Sequence, residues 1–223
     1  MVIVFDLDDT LYEELTYVKS GFKQVSFFIS NKFGINQELF YKTLLDELKK
    51  GRGKIFDNAL ASFSIYSKAN VKNCLQVYRQ HFPDISLDKD ADDCLNRFKN
   101  YPLYIVTDGN KLVQNKKIEA LGLKDRVKQV FITHRYGIKN AKPSPFCFNK
   151  ICVLEQTSPN NVLYVGDNVS KDFIGIKPLG YRTVRVLKGN YKELIKPNEF
   201  EATFKIESLN ELNEKILLKI FKY

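Results

Sequence analysis

Four apolar residues, Val2-Ile3-Val4-Phe5, lead straight into an acidic stretch at Asp6, Asp8 and Asp9. An unbroken run of β-branched and aromatic side chains predicts a buried strand over 2–5. Past Leu11 the strand signal stops, and helical spacing holds from about 12 to 93. Val18, Phe22, Val25 and Ile29 recur at spacings of four, three and four, which marks one face of a helix, and Gly34 is placed to cap it. Residues 37–50 repeat the pattern through Leu39 or Phe40, Leu44 and Leu48, and Gly51 and Gly53 then bracket a basic loop. Further helices are predicted over 55–68 and 71–81, with Pro83 stopping the second.

From residue 93 onward strand and helix alternate. Strands are predicted at 103–106, 130–132, 162–165, 183–187 and 203–206. Helices fall between them, at 110–121, where Leu112 or Val113, Lys117 and Leu121 face partly inward, and at 146–155. Ser208 and Glu211 form a capping box ahead of Leu209, Leu212, Ile216 and Ile220, which predicts a terminal amphipathic helix. Alternation of this kind implies an α/β fold with a mostly parallel sheet covered by helices on both faces. The expected core comprises 1–13 and 93–223, and 14–92 is an all-helical domain inserted after the first strand.

Composition narrows the function classes. At 223 residues and 44% hydrophobic, the chain buries a substantial core, and its 27% charged residues include no low-complexity tract. No stretch approaches the length of a membrane span. Asp6, Asp8 and Asp9 fall where the apolar region of a signal peptide would lie, so the expectation is a soluble cytoplasmic protein with no membrane partner. Four cysteines without a CxxC pattern and two histidines argue against zinc or disulfides, leaving buried free thiols. The net charge of +9 comes from scattered lysines, and the densest cluster, Lys49, Lys50, Arg52 and Lys54, is short. A solvated surface that favours anionic substrates accounts for it, and no nucleic acid is expected.

The candidate chemistry lies at the strand ends. Carboxylates are costly inside a strand, so Asp6 and Asp8 belong at or past its C-terminal end, where open α/β sheets bind ligands. Their mutual repulsion calls for a cation, and a divalent metal fits. Thr107-Asp108-Gly109-Asn110 follows the strand 103–106 and could cradle an anion; read alone, it is first an ordinary N-cap or tight turn. Lys142 precedes the helix 146–155 and could neutralise a phosphate, or be a surface lysine beside a proline-opened helix. Gly166-Asp167, with Asp172 five residues on, suits a hard cation or a capped loop. Together they place Asp6, Asp8, Thr107, Lys142, Asp167 and Asp172 on one rim of the sheet, a set suited to phosphoryl transfer.

With these residues in order, the chain resembles the haloacid dehalogenase-like superfamily of hydrolases along a Rossmann-like core. Asp6-Leu7-Asp8-Asp9-Thr10 is similar to the DxDxT element, Thr107 to the strand-end Thr/Ser, Lys142 to the lysine, and Gly166-Asp167 with Asp172 to the GDxxxxD element. The helical insert resembles a type 1 cap, and 175–191 looks like the usual continuation. The resemblance implies a phosphatase of a small phosphorylated metabolite, with Asp6 as nucleophile and Asp8 as acid and base. It implies Mg²⁺ bound by Asp6, the Asp8 backbone carbonyl, Asp167 and Asp172, the last directly or through water. Thr107, Lys142 and backbone N–H groups near Leu7 and Asp108 would hold the phosphate. Dehalogenating members lack the second aspartate, which this chain keeps as Asp8. A phosphomutase on the same fold and a non-catalytic binding protein remain alternatives; a receiver domain is disfavoured by the insert. Oligomeric state is not readable.

Overall fold

The apolar segments of the chain's second half assemble with the opening strand into one six-stranded sheet in a computed structural model that describes residues 1–222. The strands are β1 (Val2–Phe5), β2 (Leu103–Thr107), β3 (Gln129–Ile132), β4 (Val162–Gly166), β5 (Arg182–Val186) and β6 (Phe204–Ile206). Their order is β3-β2-β1-β4-β5-β6, and every pairing is parallel. β1, β2 and β4 are buried along their whole length, as a sheet covered on both faces requires. Val4, Tyr104, Val106, Phe148, Tyr164 and Phe173 belong to one continuous apolar cluster.

The chain divides into two units, residues 1–14 with 86–223, and residues 15–85. The second unit is helical: α1 (Glu14–Phe33), α2 (Gln37–Lys50), α3 (Ile55–Ser62) and α4 (Lys68–Gln80). Val18, Phe22, Val25 and Ile29 are all buried, so the spacing predicted the inward face of α1. Edge-to-face contacts of Phe22 with Phe56 and of Phe56 with Tyr78 tie α1, α3 and α4 together. The helix predicted over 55–68 stops at Ser62, because Ser64 turns left-handed (φ +57°) and Ser67 then caps α4 by accepting from Asn70 N at 3.1 Å.

The first unit holds α5 (Lys89–Arg97), α6 (Lys111–Ala120), α7 (Phe146–Leu154) and α8 (Glu214–Phe221). Where the sequence draws a boundary between 92 and 93, the contacts place it between 85 and 86. The acids of α5 explain the difference. Asp90 accepts from Lys188 Nζ at 2.7 Å, Ser208 Oγ at 2.7 Å and Leu209 N at 2.9 Å, and Asp92 pairs with Arg126. The capping box of Ser208 and Glu211 is present, yet it closes only a single 3-10 turn over Leu209–Glu211. α8 starts afterwards, under Asn213, which accepts from Ile216 N at 3.1 Å. All four cysteines are free thiols, and Cys152 is partly exposed rather than buried. Among the described residues, no helix is long and apolar enough to cross a membrane.

Candidate active site

β1 is the point at which the sheet reverses its winding: β2 and β3 lie to one side, β4 to β6 to the other. The crevice beyond the carboxyl ends of β1 and β4 is where such sheets bind ligands. Asp6 stands there immediately after β1, its N–H donating to Val165 O of β4 at 2.8 Å. Asp167 follows β4, and Asp172 comes back toward it through a tight loop. Oxygens of Asp6, Asp167 and Asp172 lie within 4.8 Å of one another, and all three side chains are buried.

One ammonium group sits among them. Lys142 Nζ is 2.8 Å from Asp6 Oδ1, 2.7 Å from Asp172 Oδ1 and 2.9 Å from the Tyr164 hydroxyl, which uses all three of its hydrogens. Tyr164 in turn donates to Asp172 Oδ1 at 3.2 Å, and Asn168 N donates to Asp172 Oδ2 at 2.9 Å. Asp172 is therefore occupied at both oxygens, while among the described residues Asp167 receives only Thr10 Oγ1, at 3.3 Å. The loop needs Gly166, because a Cβ there would collide with Asp172 Oδ2. Gly166→Ala is expected to cost about 1–3 kcal/mol, read as a lower thermal midpoint, since a buried ion pair must shift to make room.

The charges do not balance within the protein. Burial raises the Asp6 carboxyl to about 7; Lys142 opposes the rise and Asp172 adds to it. Burial, with Asp6 and Asp172 alongside, raises Asp167 to about 9. Burial disfavours the Lys142 ammonium, but Asp172 and Asp6 outweigh it and hold that group well above its ordinary value. Three buried carboxylates around one lysine leave negative charge uncompensated. Their hard oxygen donors fit Mg²⁺, with Asp6 and Asp167 as the oxygens least committed elsewhere.

The remaining expected residues surround this centre. Thr107 ends β2, buried, and its Oγ1 accepts from Gln114 Nε2 at 2.7 Å. Asn110 caps α6, accepting from Leu112 N at 3.0 Å, so the helix start is an ordinary N-cap while Thr107 stands clear of it. The Asp108 carboxylate accepts from Thr133 Oγ1 (2.7 Å), Lys142 N (3.1 Å) and Lys171 Nζ (2.7 Å). Burial raises that carboxyl, but Lys142 and Lys171 hold it below the usual range; an anion could meet Asp108 only through its backbone N–H. Asp8 lies outside the three-aspartate group. Its carboxylate is opposed by burial but held low by Lys117, Tyr12 and Gln114.

The model of the family described as haloacid dehalogenase-like hydrolase matches residues 1–180. The chain belongs to that family. A glyceraldehyde 3-phosphate phosphatase of Pyrococcus furiosus is 29% identical to this hydrolase over 221 residues, covering 96% of this chain and 91% of its own. A HAD phosphatase from Thermococcus onnurineus covers 97% of each chain at a TM-score of 0.61 and 26% identity. The HAD hydrolase YfnB of Bacillus subtilis, in a crystal structure bound to magnesium, covers 100% of this chain and 98% of its own at a TM-score of 0.66. At 19% identity, that last likeness establishes the fold alone.

Gln114, Tyr164 and Lys171, which line this hydrolase's centre, escaped sequence reasoning, and Thr10 enters it only as part of the DxDxT element. Lys117 had one usable signal, a charge in the inward stripe of a helix. Asp9, with no catalytic role expected, does helix-start work: its Oδ1 accepts from Glu14 N at 2.8 Å, at the first residue of α1.

Proposed function

We propose that this HAD phosphatase hydrolyses a small sugar phosphate, with Mg²⁺ and through an aspartyl-phosphate on Asp6. The observation that carries the reading is the buried group of Asp6, Asp167 and Asp172 around Lys142, with Asp8 held apart from it as a second, independently anchored carboxylate. A three-carbon sugar phosphate is the leading substrate class, because a relative similar over nearly the whole chain is a glyceraldehyde 3-phosphate phosphatase.

Asp6 attacks phosphorus in line, forming the acyl phosphate as the ester P–O bond breaks, and Asp8, held ionised by its donors in the free site, takes a proton from the incoming phosphate monoanion and passes it to the departing oxygen. A water then attacks the same phosphorus, passing its proton to Asp8 and releasing phosphate and the Asp6 carboxylate. Asp6, Asp167, the Asp8 carbonyl and Asp172, the last through water, would hold Mg²⁺, whose charge offsets repulsion between the anionic nucleophile and the phosphate. Once Asp6 is phosphorylated, its negative charge has left with the departing oxygen and, after proton transfer, resides on Asp8, while the phosphoryl oxygens keep their own charge. Lys142, 2.8 Å from Asp6 Oδ1, is placed to turn to one of those oxygens by exchanging one of its three partners. The Thr107 hydroxyl and the N–H groups near Leu7 and Asp108 hold the other oxygens. The helical unit at 15–85 serves as a cap that excludes water and selects the substrate.

The test is phosphate release across triose, hexose and nucleotide monophosphates, with Mg²⁺ and after exhaustive chelation. Release should require Mg²⁺ and be greatest on a sugar phosphate. Undiminished release in EDTA would overturn the metal, and no release from any substrate would overturn the phosphatase.

A further inference from the structure

Gln114 and Lys117 sit one turn apart on α6, and both are buried, at 2% and 3% exposure. A lysine on the inward face of a helix must leave water, which is costly unless a partner of opposite charge receives it. Lys117 Nζ reaches Asp8 Oδ1 at 2.6 Å. The Tyr12 hydroxyl donates to the same oxygen. Gln114 Nε2 divides its two hydrogens, one to Asp8 Oδ2 at 2.9 Å and one to Thr107 Oγ1 at 2.7 Å. Gly109 leaves room for that amide; a Cβ there would lie 3.2 Å from the Gln114 side chain.

We propose that Gln114 and Lys117 are positioning residues for the transfer step, fixing which oxygen of Asp8 carries the proton and which way the Thr107 hydroxyl points. The proposal rests on the phosphatase reading above. Among the described residues Asp8 Oδ1 already takes two donors, whereas Oδ2 takes only the Gln114 amide. Oδ2 is thus the oxygen with a lone pair free to carry a proton toward the leaving group and to accept one from water. The same amide fills an acceptor site on Thr107, whose own hydrogen makes only a long contact with the Asp108 carbonyl oxygen, at 3.5 Å, and is placed to turn to a phosphoryl oxygen instead. A single side chain therefore aligns the acid with the phosphate cradle.

The consequence depends on the leaving group. An alkyl phosphate expels an alkoxide, which needs a proton as the bond breaks. An aryl phosphate of an acidic phenol expels a stable anion and needs none. Misplacing Asp8 should therefore penalise the first substrate and largely spare the second.

The experiment compares glycerol phosphate with p-nitrophenyl phosphate for the parent protein, Lys117→Met, Lys117→Arg and Gln114→Leu. Lys117→Met should lose about tenfold or more in kcat on glycerol phosphate beyond its loss on the aryl ester, with KM little changed. Gln114→Leu should show the same asymmetry, and Lys117→Arg should recover part of it. Equal losses on both substrates, or no loss, would overturn the positioning role. If Lys117→Met does not fold, judged by its thermal transition, the ratio measured in Gln114→Leu and Lys117→Arg decides. A parent protein with no phosphate release that depends on Asp6 would instead overturn the phosphatase reading.

Discussion

Replacing Asp6 with asparagine is expected to lower Mg²⁺-dependent phosphate release by at least about 10⁴-fold while leaving the fold intact. An amide oxygen is a poor nucleophile toward phosphorus, so the acyl phosphate does not form. The shape of the side chain is nearly unchanged, and Lys142 keeps Asp172 and the Tyr164 hydroxyl as partners. The substitution also removes a carboxyl from a buried group in which Asp172 and Asp167 oppose its ionisation. Asp6→Asn should therefore show a circular dichroism spectrum like that of the parent and, without metal at alkaline pH, a thermal midpoint no lower. Full activity in this variant would rule out Asp6 as the nucleophile.

Metal-free protein should grow less stable as pH rises, and excess Mg²⁺ should abolish most of that dependence. The sign follows from the two raised carboxyls. Asp6 titrates near 7 and Asp167 near 9 in the folded chain, against 3.8 for an ordinary aspartate. Between those values the folded state binds more protons than the unfolded state, so stability falls with rising pH. Their contribution is complete below the ordinary value and is lost as pH rises through 7 and then 9. The thermal midpoint in EDTA should drop by about 5 °C or more between pH 5 and pH 9. A cation bound to ionised carboxylates replaces the proton and reverses the trend. A flat profile in EDTA would mean that the acids do not repel one another as their burial implies.

Much of this arrangement was legible in the chain because local rules and the tertiary fold agree there. An apolar run that ends in carboxylates has few ways to fold, and Asp6 and Asp167 each stand just past a strand for that reason. The four motif elements converge on one end of the sheet because parallel strands bring every C-terminal end to the same side. What surrounds them was not legible. Lys171, Tyr164 and Thr133 act through partners far away in sequence, and nothing in their own neighbourhood marks them. Lys117 showed as an anomaly, a charge in an apolar stripe, without naming Asp8 as its partner. α5 was missed for a related reason: Asp88, Asp90 and Asp92 look like a solvated acidic turn until Lys188, Ser208 and Arg126 meet them. The capping box at Ser208 was a true local signal attached to the wrong element.

The register of β1 bears on the order in which this protein is built. Ile3 pairs with Leu103 on one side and Leu163 on the other, so the strand that leads into Asp6 finds its neighbours among segments synthesised much later. Closing such long loops is entropically slow, and helices with local contacts form sooner. During translation the residues 15–85 can therefore collapse while Val2–Phe5 still waits as an unpaired, apolar strand. That strand is the segment most exposed to mispairing on the ribosome, and the acids that follow it are its nearest protection against aggregation. Charges selected for chemistry would then also act as solubilising gatekeepers for the nascent chain.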